Sequence, residues 1–186
     1  MMKWLSISAG AVIAAVLAVV VIGYALPQSH VASVTAVYSA APADIWPWIS
    51  QPERYPSWRN SLTAVELLPE GGGRVAWRET GKDGKISYRF TERTEGERLV
   101  TLITDEGLPF GGGWEFDLQP EGKGSRLTIT EHGEVYNPVF RFVSRFFLGH
   151  TSTMEAYLTD LGKALGDPVT PRVIKPDQSS GTARKP

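Results

Sequence analysis

Apolar and small residues run without a charge over residues 4–26, alternate with polar ones from Leu62 to about residue 131, and recur every three or four positions from Val139 to Leu165. These patterns predict, in order, an apolar helix, an antiparallel sheet and an amphipathic helix. The first segment, bounded by Trp4 and Leu26, has no ionisable side chain except the Tyr24 phenol. At 1.5 Å per residue it makes about 34 Å of helix, enough for a hydrocarbon core of ~30 Å. Trp4 and Tyr24 lie near its ends, and Lys3 marks the N-terminus as cytoplasmic. A single-pass membrane protein with an extracytoplasmic domain is expected. The rival is a cleaved signal peptide, with Gly23 and Ala25 at the recognition positions. The apolar run over 5–22 exceeds the ~7–15 residues of a secretory core, which favours a retained anchor. Gly10, Ala14 and Ala18 form a small-residue face compatible with a weak anchor-mediated dimer, although Ala-rich spans produce such spacing by chance.

Beyond a four-residue linker, residues 31–38 read as a strand, with Val31, Ser33, Thr35 and Val37 on one parity. Pro42 opens a short helix that Pro47 keeps short, and a turn-rich stretch with Pro52, Tyr55, Pro56 and Trp58 follows. Five more strands begin at Leu62. Closing a hairpin at Gly81 and Gly84 sets Trp77 opposite Tyr88, Glu79 opposite Ile86 and Val75 opposite Phe90. Closing the next turns adds Leu99, Thr101 and Ile103, then Trp114, Phe116 and Leu118 opposite Leu127 and Ile129, to one apolar face. The other face carries Arg74, Arg78, Arg89 and Arg93 with Thr91.

Asn137 is a suitable N-cap and Pro138 a suitable first-turn residue for the last helix. Val139, Phe140, Val143, Phe147, Met154, Tyr157, Leu158, Leu161 and Leu165 then fall on one stripe. A continuous helix of roughly 28 residues, ~42 Å long, would lie right across the oily face of the sheet. After Gly166 the chain has too few large apolar side chains to offset ordering entropy and is expected to be disordered. Three parts result: an anchor and linker over 1–30, a domain over 31–166 and a tail over 167–186.

Charge and composition narrow the function. The chain has 19 Lys+Arg against 20 Asp+Glu, a formal net charge of −1, so it lacks the basic footprint that a nucleic acid demands. There is no cysteine, which removes thiolate metal sites, disulfides and Cys nucleophiles. With His30, His132 and His150 the only imidazoles, composition argues against a multi-histidine zinc site. No cofactor fingerprint is present, and neither a metal nor a cofactor is expected.

The order of strand, short helices, antiparallel run and long C-terminal helix resembles the helix-grip fold of the START-like superfamily. More narrowly, Ala41-Pro42-Ala43-Asp44-Ile45-Trp46, followed by Ile49-Ser50-Gln51-Pro52-Glu53-Arg54-Tyr55-Pro56-Ser57-Trp58, resembles the opening motif of the polyketide cyclase/dehydrase and lipid-transport (SRPBCC) family. Gln51 stands where many members have Asp. The resemblance covers about residues 31–166 and implies an α+β fold, a curved antiparallel sheet wrapped around the C-terminal helix, enclosing an apolar cavity.

On that expectation the cavity would be lined by Trp77, Tyr88, Phe90, Trp114, Phe116, Phe140, Val143 and Phe147, although each could simply fill a solid core. Glu79, Glu131 and His150 fall on inward positions, as weak acid/base candidates or as residues solvated at strand ends. The Gly-rich stretch 105–113 is a candidate gate or a plain connection. Phe142 and Phe146 would complete packing or form an apolar lip near the bilayer. The function expected is membrane-anchored binding, or transfer, of an apolar small molecule or lipid. The alternatives are a cyclase or dehydratase acting on a polyketide-like substrate, and an envelope protein-interaction module.

Overall fold

The computed structural model describes residues 2–69, 75–82 and 84–175, with side chains in the first helix described from Val12 onward. Helix α1 (Met2–Ala25) leads into strand β1 (Ser29–Tyr38), helix α2 (Pro42–Ser50) and a 3-10 segment (Pro52–Ser57). Six strands follow: β2 (Leu62–Leu68), β3 (Ala76–Gly81), β4 (Gly84–Thr94), β5 (Arg98–Ile103), β6 (Phe110–Glu121) and β7 (Gly124–Val135). The chain closes with α3 (Pro138–Val143), a π-turn (Ser144–Leu148), α4 (Ser152–Ala164) and β8 (Arg172–Ile174). The strands form one curved antiparallel sheet in the order β2-β3-β4-β5-β6-β7-β1-β8, an α+β architecture of the helix-grip kind.

Turn chemistry sets most registers as expected. Gly81 pairs with Gly84, Trp77 with Tyr88, Phe116 with Ile129 and Leu118 with Leu127. A bulge at Thr91 changes the expectation for β4: Glu92 and Arg93 slip so that Arg93 opposes core Leu99. Arg93 therefore leaves the wet face, and its guanidinium lies 6.0 Å from the Trp46 ring centroid. Arg78 and Arg89 stay on the outer parity, while Arg74 and the hairpin residue Asp83 lie outside the described residues. In β1 the inward set is His30, Ala32, Val34, Ala36 and Tyr38, not the Val31 series, whose Val31 and Val37 are exposed. The strand also starts two residues early, so His30 belongs to the sheet rather than to the linker.

The expected single C-terminal helix is two helices with a break between them. Asn137 does cap α3, its side chain accepting from the Phe140 amide at 3.0 Å. The π-turn then ends where Gly149, at φ 71°, donates to the Ser144 carbonyl. That backbone conformation is open to glycine and cannot continue a right-handed helix. Periodicity on both sides had masked the breaker. Of the two, α4 covers the bowl, burying Met154, Tyr157, Leu158 and Leu161. Each such side chain contributes about 1.5–3 kcal/mol of burial.

Helix α3 instead meets α1. Arg141 donates to the carbonyls of Gly23 (3.1 Å) and Leu26 (3.0 Å), satisfying two acceptors that the end of α1 leaves open, and also to Val135. A Cβ on Gly23 would run into the Pro138 carbonyl. Among the described residues no helix is long and apolar enough to cross a membrane. Val12, Ile13, Val16, Leu17 and Val21 on α1 are all exposed.

The segment after Gly166, expected to be disordered, is ordered as far as Lys175. Asp167 accepts from the amide (2.6 Å) and hydroxyl (2.8 Å) of Ser39, which hold its carboxyl below the ordinary value. Arg172–Ile174 then pairs with β1 at Ser33–Thr35. Few large apolar side chains are needed here, because this strand covers a sheet edge through its backbone. The remainder of the expected tail, 176–186, lies outside the described residues.

Candidate functional site

Inward-facing residues of the sheet form two zones that differ in cover. In the deep zone Phe90, Leu99, Phe116, Leu118, Leu127 and Ile129 are buried under α4 and α2. Tyr157 plugs this zone, with its ring centroid 5.5 Å from Phe116, 5.8 Å from Trp114 and 4.9 Å from Trp58. One step along the same strands, Ile86, Tyr88, Ile103, Trp114, Glu131, Ala32 and His30 are only half-buried. This is the end where the helical cover is interrupted. Phe140 closes its far side, stacking on Phe110 at 6.1 Å.

Of the eight expected lining residues, Trp77, Phe90 and Phe116 lie in the packed floor, while Tyr88 and Trp114 border the half-open zone. Phe140 stands over the start of β6, and Val143 is half-buried in α3. Phe147 is 74% exposed, its ring against Phe142, so it does not face the bowl. That displacement follows from the break at Gly149, which detaches the first half of the expected stripe from the second.

The inward carboxylates are both paired. Glu79 accepts from Arg59 (2.7 Å) and from the Trp77 indole (3.0 Å) in the floor. The Arg59 guanidinium lies 5.3 Å and 5.1 Å from the ring centroids of Tyr55 and Tyr157. Burial pushes the phenols of Tyr55 and Tyr157 well above their ordinary value. Burial opposes the charge of Arg59, but Glu79 together with Tyr157 and Tyr55 outweighs it and raises its basicity. This is a structural ion pair, satisfied on both sides.

Glu131 sits at the open end. Its Oε1 lies 2.7 Å from His30 Nε2, and its Oε2 accepts from the Trp114 indole at 2.8 Å. The His150 ring stacks on that of His30 with centroids 3.8 Å apart and 27° between planes. Desolvation, then His30, and to a lesser degree Arg145, lower the basicity of His150, against an opposing pull from Glu131. Two of the three weak candidates, Glu131 and His150, are thus brought together, and the third, Glu79, is engaged elsewhere. A carboxylate and an imidazole in hydrogen-bond contact can orient a polar group or move a proton.

Reasoning from sequence missed His30 and Arg59. His30 carried a signal, since it extends the even series of β1 inward. Arg59 had none from periodicity, but a buried Glu79 needs a cation and the strand arginines were on the other face.

A cleft of about 450 Å³ opens beside residues 104–109 and shares Ile103 with the half-open zone, bordered also by Leu102, Leu108, Phe110 and Tyr136. The expected loop 105–113 is shorter than thought, because Phe110–Gly113 already pair with β7. The second cleft, about 460 Å³, lies outside the bowl between Pro42, Trp46 and Glu97.

Residues 29–166 match the family described as polyketide cyclase / dehydrase and lipid transport. The chain belongs to that family, as its opening motif had indicated. Truncated norcoclaurine synthase from Thalictrum flavum is similar in structure, with a TM-score of 0.60 at 16% identity over 74% of this chain and 93% of the other. The di-domain ARO/CYC StfQ from the steffimycin biosynthetic pathway has a TM-score of 0.59 at 11% identity, over 75% of this chain and 53% of its own. Protein MLL2253 from Mesorhizobium loti has a TM-score of 0.57 at 17% identity, over 74% and 97%. At these identities the likeness shows the fold. No curated protein matches the chain.

Proposed function

We propose that this protein binds an apolar small molecule or lipid in the half-open zone of its bowl while its apolar N-terminal segment, residues 4–26, holds it at a membrane. The observation that carries the reading is the interruption of the helical cover at Gly149, which leaves Tyr88, Ile103 and Trp114 half-buried around a polar end made by His30, Glu131 and His150. Aromatic walls with a few convergent polar groups suit a greasy or flat guest that carries one polar function. The norcoclaurine synthase of T. flavum has been solved with dopamine and hydroxybenzaldehyde, which is consistent with a small aromatic guest in this fold.

The apolar character of residues 4–26 supports the tether, and Lys3 ahead of it supports a cytoplasmic N-terminus with the domain on the opposite side. Exposed Phe146 and Phe147 stand beyond α3, the helix that packs on α1, so the bowl would open beside the bilayer rather than away from it. The test uses the full chain in detergent. Native mass spectrometry and uptake of a fluorescent fatty acid or polycyclic probe should show one guest per chain, with Trp fluorescence changing on binding. Absence of both a co-purified molecule and uptake from a broad lipid and aromatic panel would end this reading.

The 2.7 Å contact between His30 and Glu131 favours a second reading, acid/base chemistry of the cyclase or dehydratase type on a polyketide-like substrate. Glu131→Gln should then abolish turnover while leaving uptake of the guest intact.

A further inference from the structure

We propose that His30, Glu131 and His150 form a three-ligand site for a first-row divalent transition-metal ion such as Zn²⁺. One ligand atom from each of the three lies within 4.8 Å of the others. They come from three separate pieces of chain: the second residue of β1, the middle of β7 and the turn before α4. A fold that carries just three histidines has brought two of them face to face beside one carboxylate.

An ion pair accounts for only part of this arrangement. Glu131 answers His30, but among the described residues His150 makes no hydrogen bond, and the exposed Arg145 nearby is a cation as well. Two imidazoles and one carboxylate make a complete protein ligand set for a site that keeps an open position.

Two further features prepare the site. The Trp114 indole holds Oε2 of Glu131 and leaves Oε1, which here meets His30, as the oxygen that would coordinate, the way hydrogen-bonded partners orient carboxylate ligands. Gly133 stands directly across the ladder from His30, and a Cβ there would run into the imidazole at Cε1 and Nε2 and approach Glu131 Oε1. Glycine thus keeps the coordinating edge of His30 accessible. Ligand atoms around a tetrahedral zinc stand about 3.4 Å apart. His30 and Glu131, 2.7 Å apart, would part slightly to reach that spacing, and the closure falls on His150, which sits at the turn after Gly149 and makes no hydrogen bond among the described residues. An oxygen of the guest would complete the shell at an open coordination position. That use of the ion rests on the binding reading above, whereas the existence of the site does not.

The experiment uses full-length protein carrying a tag without histidine, stripped with EDTA and titrated with Zn²⁺ by calorimetry and with Co²⁺ by visible absorption. One ion per chain and a ligand-field band of a four- or five-coordinate cobalt centre are expected. His30→Ala, His150→Ala and Glu131→Gln should each weaken binding by at least tenfold, and Trp114→Phe by roughly tenfold. His132→Ala, an exposed imidazole on the outer face, should change nothing. Circular dichroism on each variant checks that the fold persists. Absence of stoichiometric binding overturns the proposal, as does an equal loss in the His132 and His30 variants. Guest uptake measured on the same samples separates the two readings: uptake without metal binding sinks the ion alone, and metal binding without uptake sinks the apolar guest.

Discussion

Trp114 and Phe116 stand two residues apart on one strand and point to the same side of the sheet, as do Tyr88 and Phe90. In each pair the first is half-buried and the second is closed off, Phe116 at 3% exposure and Phe90 at 6%. Strand chemistry does not distinguish them. What differs is the second layer: α4 lies over one row and only edges the next, where Tyr157 reaches Trp114 before the turn at Gly149 interrupts the cover. Stability and site are therefore separable along a strand within one repeat of about 7 Å, with packing on one side of that step and access on the other.

The sharpest way to break the comparison is Phe116→Asp. A carboxylate at a buried position packed on Tyr157 has no cation of its own, since the nearby Arg59 is engaged by Glu79, and cooperative unfolding should be lost, as read by circular dichroism in urea. Retention of a native transition would mean that the floor is as open as the rim. Arg59→Met comes next. It leaves Glu79 buried without its cation and should cost about 3–5 kcal/mol, while Arg59→Met with Glu79→Met should recover much of that loss. A double variant no better than the single would show that Arg59 acts through its stacking on Tyr55 and Tyr157 instead.

Sheet registers, the aromatic face and the N-cap at Asn137 were readable from sequence, because hairpin turns and period-two alternation are local. The polar end was half readable. Parity points Glu131 inward and the helical wheel points His150 inward, but the polar residues at 28–30 carry no strand signal of their own, so the partner His30 reads as linker. The expected continuous helix failed for a related reason. Its stripe is real on both sides of Gly149, and a phase argument cannot detect that the two halves point at different neighbours. Pairing of Arg172–Ile174 with β1 was invisible, because an edge-covering strand needs backbone groups and no particular side chains. Arg93 turns inward through one bulge, which reverses every side chain after it and leaves no mark in the alternation.

Smaller effects test the boundary itself. Gly149→Ala forces a side chain onto a backbone at φ 71° and ψ −178°, with an expected cost of about 1–3 kcal/mol. Its larger consequence should be at the rim, where displaced His150 lowers affinity for the guest; a variant with unchanged affinity would detach the turn from the site. Trp114→Ala should cost less stability than Phe116→Ala, whose removal from a closed core is worth about 3–5 kcal/mol. It should nonetheless reduce guest binding more strongly, since the indole both borders the open zone and holds Glu131. Urea denaturation and probe titration on both variants give the two orderings, and identical orderings would erase the distinction between floor and rim.

Arg89→Ala is expected to do least. Arg89 lies between Tyr88 and Phe90, opposite Ala76 and Leu102, so its side chain leaves the sheet on the side away from α4. Neither the bowl nor an ion pair among the described residues depends on it. Truncation should change stability by no more than about 0.5 kcal/mol and leave uptake of the guest unaltered. A larger loss would mean that the outer face is itself covered, and that the one-step contrast between Tyr88 and Phe90 is not the only place where burial on this strand is decided by what lies above it.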